Sequence, residues 1–83
     1  MPRISYFYGI SIYMYSNEHN PPHVHAVMGD KHASFTISDG ELMSGSSFPP
    51  KGRQMVKEFI LKYREELYEM WGTGVYKKLE PIE

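Results

Sequence analysis

The stretch "EHNPPHVHA", residues Glu18 to Ala26, contains three of the four histidines of the chain, arranged around a Pro-Pro pair. Imidazole is the side chain that changes its charge nearest to neutral pH, and it is also the commonest metal ligand. His19, His23 and His25 are therefore candidates both for a metal site and for acid–base catalysis. The remaining interpretation is a stiff turn whose histidines have no chemical role.

The spacing of His23 and His25 favours a metal site. Residues two positions apart on a strand point to the same face of the sheet, so both imidazoles can reach one ion. His19, on the other side of the prolines, is the candidate third ligand. Imidazole together with carboxylate suits zinc, nickel, copper or iron(II), with zinc as the candidate cofactor. Supplementary ligands are available at Glu18, Asp30 and His32.

The same three histidines also support a ribonuclease mechanism, with or without metal. One imidazole would take the proton of a ribose 2′-hydroxyl, and another would donate a proton to the leaving oxygen. The negative charge that develops on the phosphorane requires a nearby cation. Cations are present at Arg3, Lys31, Lys51 and Arg53, although nothing in the sequence brings them to the histidines. Whether the protein is an enzyme therefore stays open.

The elements that position these residues are predicted to be strands. Apolar or aromatic side chains occupy the even positions from Ile4 to Met14, which predicts one strand from about Ile4 to Tyr15 with one buried face. Gly29-Asp30 is a suitable two-residue hairpin turn. The other predicted strands are His23–Met28, Lys31–Ile37 and Glu41–Ser44.

The hairpin around Gly29-Asp30 also predicts which side chains share a face. Counting outward from the turn pairs Val24 with Phe35 and Ala26 with Ala33 on an apolar face. The other face receives three cross-strand pairs: His23 with Thr36, His25 with Ser34, and Val27 with His32. The histidines are therefore expected on the face opposite the core.

Apolar residues at three-four spacing predict a single helix from about Pro50 to Met70. The expected fold is α+β: an antiparallel meander of three to four strands, packed on one face by this long C-terminal helix. Residues 1–83 are expected to form one domain, with strands within 4–46 and a tail at 72–83. The predicted core comprises Ile10, Ile12, Val24, Phe35, Ile37, Phe59, Ile60, Tyr63 and Leu67.

Composition excludes several classes of function. The absence of cysteine rules out disulfides and thiolate zinc fingers, and the net charge of −1 gives no overall basic field for nucleic acid. No segment has the ~18 consecutive apolar residues of a membrane span, so no membrane partner is expected. A cytoplasmic location follows as the default expectation.

Three segments, "FYGISIYMYSNEHNPPHVHA", "EELYEMW" and "KKLEPI", resemble the small prokaryotic family catalogued as domain of unknown function four-one-six-zero. Members of this family are often proposed as one partner of a two-gene toxin–antitoxin module. The resemblance therefore implies an interaction protein that binds a small protein encoded nearby, with RNA as the alternative ligand and a homodimer as one option. Tyr6 and Tyr13 stand where family members often carry a basic residue, and Gly52 interrupts a usually more aliphatic helix start.

Overall fold

A computed structural model describes residues 2–15 and 19–82 of the chain. Its strands form one antiparallel sheet in sequence order, followed by two helices. The elements are β1 (Arg3–Phe7), β2 (Ile10–Tyr13), β3 (His23–Met28), β4 (Lys31–Thr36), β5 (Leu42–Ser44), α1 (Pro50–Lys62) and α2 (Arg64–Thr73). The α+β class and the meander are confirmed, but the described sheet has five strands rather than three to four.

The predicted first strand is a hairpin rather than one strand. Phe7 pairs with Ile10, so Tyr8 and Gly9 form a two-residue turn with φ angles of 49° and 78°. Two positive φ angles are typical of a type I′ turn, which usually contains Asn-Gly. Tyrosine is an uncommon residue for this backbone conformation. The turn was therefore hidden within the alternating pattern of the sequence.

A register shift in β1 explains why the predicted buried face of this segment was partly wrong. The β1–β2 pairing is irregular between Arg3 and Ser5, and both Ile4 and Ser5 are buried. The extra residue changes the phase of the alternation. Phe7 therefore points into the core, whereas the neighbouring Tyr6 stays 51% exposed.

The predicted β3–β4 hairpin is confirmed pair by pair. Val24 lies opposite Phe35, His25 opposite Ser34, and the strands are joined by Gly29-Asp30, with Gly29 at a φ of 61°. The sequence prediction extended β4 to Ile37, but this strand ends at Thr36. Ile37 belongs to the following turn and is nevertheless fully buried.

The predicted single helix is interrupted at Tyr63, whose φ and ψ are −110° and 22°. Hydrogen bonds continue across the interruption, because the Tyr63 N–H donates to the Phe59 carbonyl and the Leu67 N–H donates to the Tyr63 carbonyl. Arg64 begins α2 and donates Nη1 to the Ser38 carbonyl oxygen at 2.7 Å, which ties α2 to the turn before β5. No Gly or Pro marks the interruption, so sequence signals for helix ends did not reveal it.

One hydrophobic core joins the helices to the sheet. The Phe7 and Phe59 rings lie 5.1 Å apart, and the Phe35 and Phe48 rings 5.7 Å apart. Eight of the nine predicted core residues are buried, and the ninth, Tyr63, is partly buried against the same cluster.

The segment after α2 runs back to the first strand. The Leu79 N–H donates to the Ile4 carbonyl at 2.7 Å, and the Ser5 hydroxyl donates to the Leu79 carbonyl at 3.0 Å. These bonds satisfy backbone groups at the outer edge of β1. Among the residues described, no helix has the length and apolar character needed to cross a bilayer.

Candidate functional site

The strand register places two rows of side chains on the sheet face opposite the core. One row crosses β2 to β5, because Tyr13 lies opposite His25, His25 opposite Ser34, and Ser34 opposite Ser44. Arg3 on β1 flanks this row, opposite Tyr13. Directly opposed residues in a ladder point to the same face. In the second row, Tyr6 lies opposite Ser11, Ser11 opposite Val27, and Val27 opposite His32. We call these eight residues the polar face: Tyr6, Ser11, Tyr13, His25, Val27, His32, Ser34 and Ser44.

The polar face stays accessible over much of its area. Tyr6 is 51% exposed and His32 is exposed, whereas Tyr13 and His25 are partly buried. The alternate residues of the same strands, including Ala26, are almost fully buried on the other side. The two sides of the sheet therefore have different roles, one for folding and one available for contacts.

The four histidines form a run of neighbouring rings. Successive ring centroids are 6.5 Å apart for His19 and His23, 5.0 Å for His23 and His25, and 5.5 Å for His25 and His32. The three histidines predicted from the sequence are thus brought into one neighbourhood through successive pairs of rings. In the described parts of the chain, no three His, Asp or Glu side chains are grouped so that they could hold a metal ion. The supplementary candidate Glu18 lies outside the described residues.

His23 is the most enclosed member of the run. It is 5% exposed, and its ring lies 5.2 Å from that of Trp71 on α2. Its Nδ1 lies 2.7 Å from the Pro21 carbonyl oxygen, so this nitrogen carries the proton and donates to the carbonyl. His23 therefore connects the loop before β3 to α2, while His19 is exposed.

His25 and His32 approach through their ring nitrogens, with His25 Nδ1 and His32 Nε2 separated by 3.4 Å. The Tyr15 ring meets the His25 ring edge-on at 4.7 Å and stacks against Tyr13 at 6.3 Å. From the sequence, His32 was predicted only as a supplementary ligand. The hairpin register could have predicted that His32 lies near His25, since His32 is two residues from Ser34, the partner of His25.

Two of the candidate cations, Arg3 and Arg53, lie in different places relative to the polar face. Arg3 lies beside the polar face, donating Nη1 to the Ser11 hydroxyl at 3.5 Å and covering the Tyr6 ring at 5.1 Å. Arg53 instead donates Nε to the Phe48 carbonyl at 2.9 Å, and it thereby holds the linker before α1. Of these two, Arg3 is therefore the one available beside the polar face to a ribonuclease mechanism.

Two pKa shifts occur at the turn between β4 and β5. The Thr36 hydroxyl, helped by the Glu41 backbone N–H, holds the pKa of the Asp39 carboxyl below its usual range. The Glu41 carboxylate, 2.7 Å from Lys57 Nζ, raises the pKa of that ammonium group. The Asp39 hydrogen bonds therefore lie within the turn, the exposed Glu41–Lys57 pair links the turn to α1, and neither contact involves a histidine.

Comparison with known families matches residues 9–72 to the model of a domain of unknown function, DUF4160. The matched region covers most of the 83-residue chain. The chain belongs to the DUF4160 family. No curated protein and no solved structure matches the chain significantly.

The DUF4160 match includes all four histidines, strands β2 to β5, α1 and nearly all of α2. It leaves out β1 and the segment after α2, the two parts of the chain that are joined through Leu79. The histidine run and most of the polar face therefore belong to the family region. Tyr6 lies outside it.

Proposed function

We propose that this DUF4160 protein is a cytoplasmic binding module that holds a small protein partner on its polar face, as one half of a two-gene toxin–antitoxin pair. The observation that carries the proposal is the contrast between the two sides of the sheet: one is sealed by the core, and the other presents tyrosines and histidines. Tyrosine is enriched in protein interfaces, because it buries a large area and keeps a polar group.

The edges of the sheet are poorer docking sites than the polar face. The segment around Leu79 already bonds to β1 at Ile4, and β5 is only three residues long. A peptide that adds a strand needs a longer row of unpaired backbone groups. The partner is therefore expected to lie across the strands rather than beside them.

The charge distribution favours a protein partner over nucleic acid. The net charge is −1, and Tyr6 and Tyr13 occupy prominent places on the polar face. Binding to a phosphate backbone depends on several Lys or Arg contacts. Arg3, the cation identified beside this face, is already over the Tyr6 ring.

The test is to measure binding of the small protein encoded by the adjacent gene, using calorimetry on purified proteins. Tyr6→Ala should weaken binding by about 30-fold, the effect of losing an interface side chain worth ~2 kcal/mol. Tyr68→Ala is the matched control, because Tyr68 is a similarly exposed tyrosine, 41% against 51%, on α2. Its binding constant should not change.

Equal effects of the two substitutions, or loss of binding with Tyr68→Ala alone, would contradict the use of the polar face. A separate assay, incubation of the isolated protein with RNA, tests the ribonuclease alternative. If the isolated protein degrades RNA and the joint substitution of His23 and His25 by Ala abolishes degradation in a folded protein, the histidines are catalytic and the chain is an enzyme.

A further inference from the structure

The hairpin of β3 and β4 fixes the relative positions of His25 and His32. His25 lies opposite Ser34 and His32 opposite Val27, so the two histidines are diagonal neighbours on one face. The register of this hairpin is set by the two-residue turn Gly29-Asp30. Two regular strands therefore determine the spacing of the two imidazoles.

The distance between the two facing nitrogens matches a shared tetrahedral ion. Zinc binds imidazole nitrogen at about 2.0–2.1 Å, so two such ligands at the tetrahedral angle lie about 3.3–3.4 Å apart. The His25 Nδ1 to His32 Nε2 distance is 3.4 Å. A hydrogen bond donated by N–H usually measures about 2.7–3.2 Å between heavy atoms. The observed separation is therefore long for a direct hydrogen bond, and it equals the spacing of two nitrogens bound to one tetrahedral ion.

We propose that His25 Nδ1 and His32 Nε2 chelate one divalent transition-metal ion, such as zinc, nickel or copper. This assignment goes beyond partner binding and differs from the set His19, His23 and His25 predicted from sequence. His23 has its Nδ1 committed to the Pro21 carbonyl and its ring against Trp71, whereas His32 is exposed on a regular strand.

The chelate is incomplete within one chain. Within the described residues no group of three His, Asp or Glu side chains is placed for one ion, so two histidines supply two positions of a tetrahedral site. Water molecules fill the other positions in the isolated protein. An ion held in this way keeps open positions that face outward from the polar face.

The test uses zinc alone as the probe and protein purified without a polyhistidine tag. Isothermal titration should give one saturable site per chain. Long-range proton–nitrogen spectra of the imidazoles should show zinc-dependent shifts at Nδ1 of His25 and Nε2 of His32. His25→Ala and His32→Ala should each weaken zinc binding by about 100-fold, because a single ligand loses the gain from chelation.

His19→Ala is the matched control, since His19 is an exposed histidine of the same run, and it should bind zinc as the unchanged protein does. Circular dichroism melting confirms that each variant is folded. Absence of saturable binding, binding that survives His32→Ala, or zinc-dependent shifts at the His19 and His23 nitrogens instead would each overturn the assignment. Because the titration uses the isolated chain, its result is independent of whether a protein partner occupies the polar face.

Discussion

His23 and His25 are two positions apart and share a side of β3, but their surroundings differ. His23 is 5% exposed between Trp71 and the loop before β3, whereas His25 is partly buried beside Tyr15 and His32. An enclosed imidazole that donates to a backbone carbonyl and packs on an indole contributes to stability. The His25 imidazole, beside His32 on the polar face, instead belongs to the proposed metal chelate.

We expect His23→Ala to destabilise the fold by about 1–3 kcal/mol, because the enclosed His23 ring loses its packing against Trp71 and its hydrogen bond to the Pro21 carbonyl. Urea unfolding followed by circular dichroism measures the change. His19→Ala removes an exposed side chain and should change stability by no more than about 0.5 kcal/mol. If both variants unfold at the same urea concentration as the unchanged protein, His23 has no structural role.

Within the candidate site, the sequence correctly predicted the strand pairing of His23 and His25, because this pairing follows from the two-residue period of a strand. Residues two apart on β3 share a side, and counting from Gly29-Asp30 gave the partners of both His23 and His25. The contact between His23 and Trp71 could not be predicted from the sequence, because it joins residues 48 positions apart and depends on how α2 lies against the sheet. No local pattern encodes that placement.

Among the strands and helices, those with regular local sequence patterns were predicted correctly, and those with irregular backbone geometry were not. The β3–β4 hairpin has a glycine turn and alternating strands, and it was predicted with its register. The β1–β2 hairpin places Tyr8 at a φ of 49° and has an irregular pairing near Ser5, so two departures from regular geometry hid it. The interruption at Tyr63 likewise has no glycine or proline to mark it.

The two helical glycines, Gly52 and Gly72, should respond in opposite directions to alanine. A Cβ atom at Gly52 would lie 2.8 Å from Cε2 of the buried Phe48 ring and 3.3 Å from Met28 Cε, whereas one at Gly72 meets nothing within 4 Å. We expect Gly52→Ala to cost about 1–3 kcal/mol through overpacking. Gly72→Ala should stabilise by about 0.5–1 kcal/mol, because alanine loses less backbone entropy in a helix.

Thermal or urea denaturation of the two variants provides the measurement, and each serves as the control for the other. Stabilisation by both substitutions would mean that α1 does not approach Phe48 as closely as described.

At the scale of the whole molecule, stability depends on one core shared by the helices and a single side of the sheet. Phe59 of α1 lies at its centre, fully buried, with its ring 5.1 Å from Phe7 and 5.2 Å from Tyr63. The predicted core was largely correct, because helical and strand periods both identify inward positions. The number of elements was less predictable, because breaks between elements depend on individual backbone angles.

We expect Phe59→Ala to cost about 3–5 kcal/mol, a large fraction of the stability of a domain of this size. Leu61→Ala is the control, since Leu61 is on the same helix and 47% exposed, and it should cost no more than about 0.5 kcal/mol. Chemical denaturation of both variants gives the comparison. A Phe59→Ala variant as stable as the Leu61→Ala variant would show that α1 packs on the sheet through another face.

The hydrogen bond from Ser5 to Leu79 joins residues that are 74 positions apart. On the ribosome a chain is made from its N-terminus, so β1 and its neighbouring hairpins emerge long before Leu79 exists. Hairpin contacts are local in sequence and form early, whereas contacts between distant residues form slowly. During synthesis the outer edge of β1 is therefore left without this cover, and it is exposed to wrong strand pairing until the segment around Leu79 has been made.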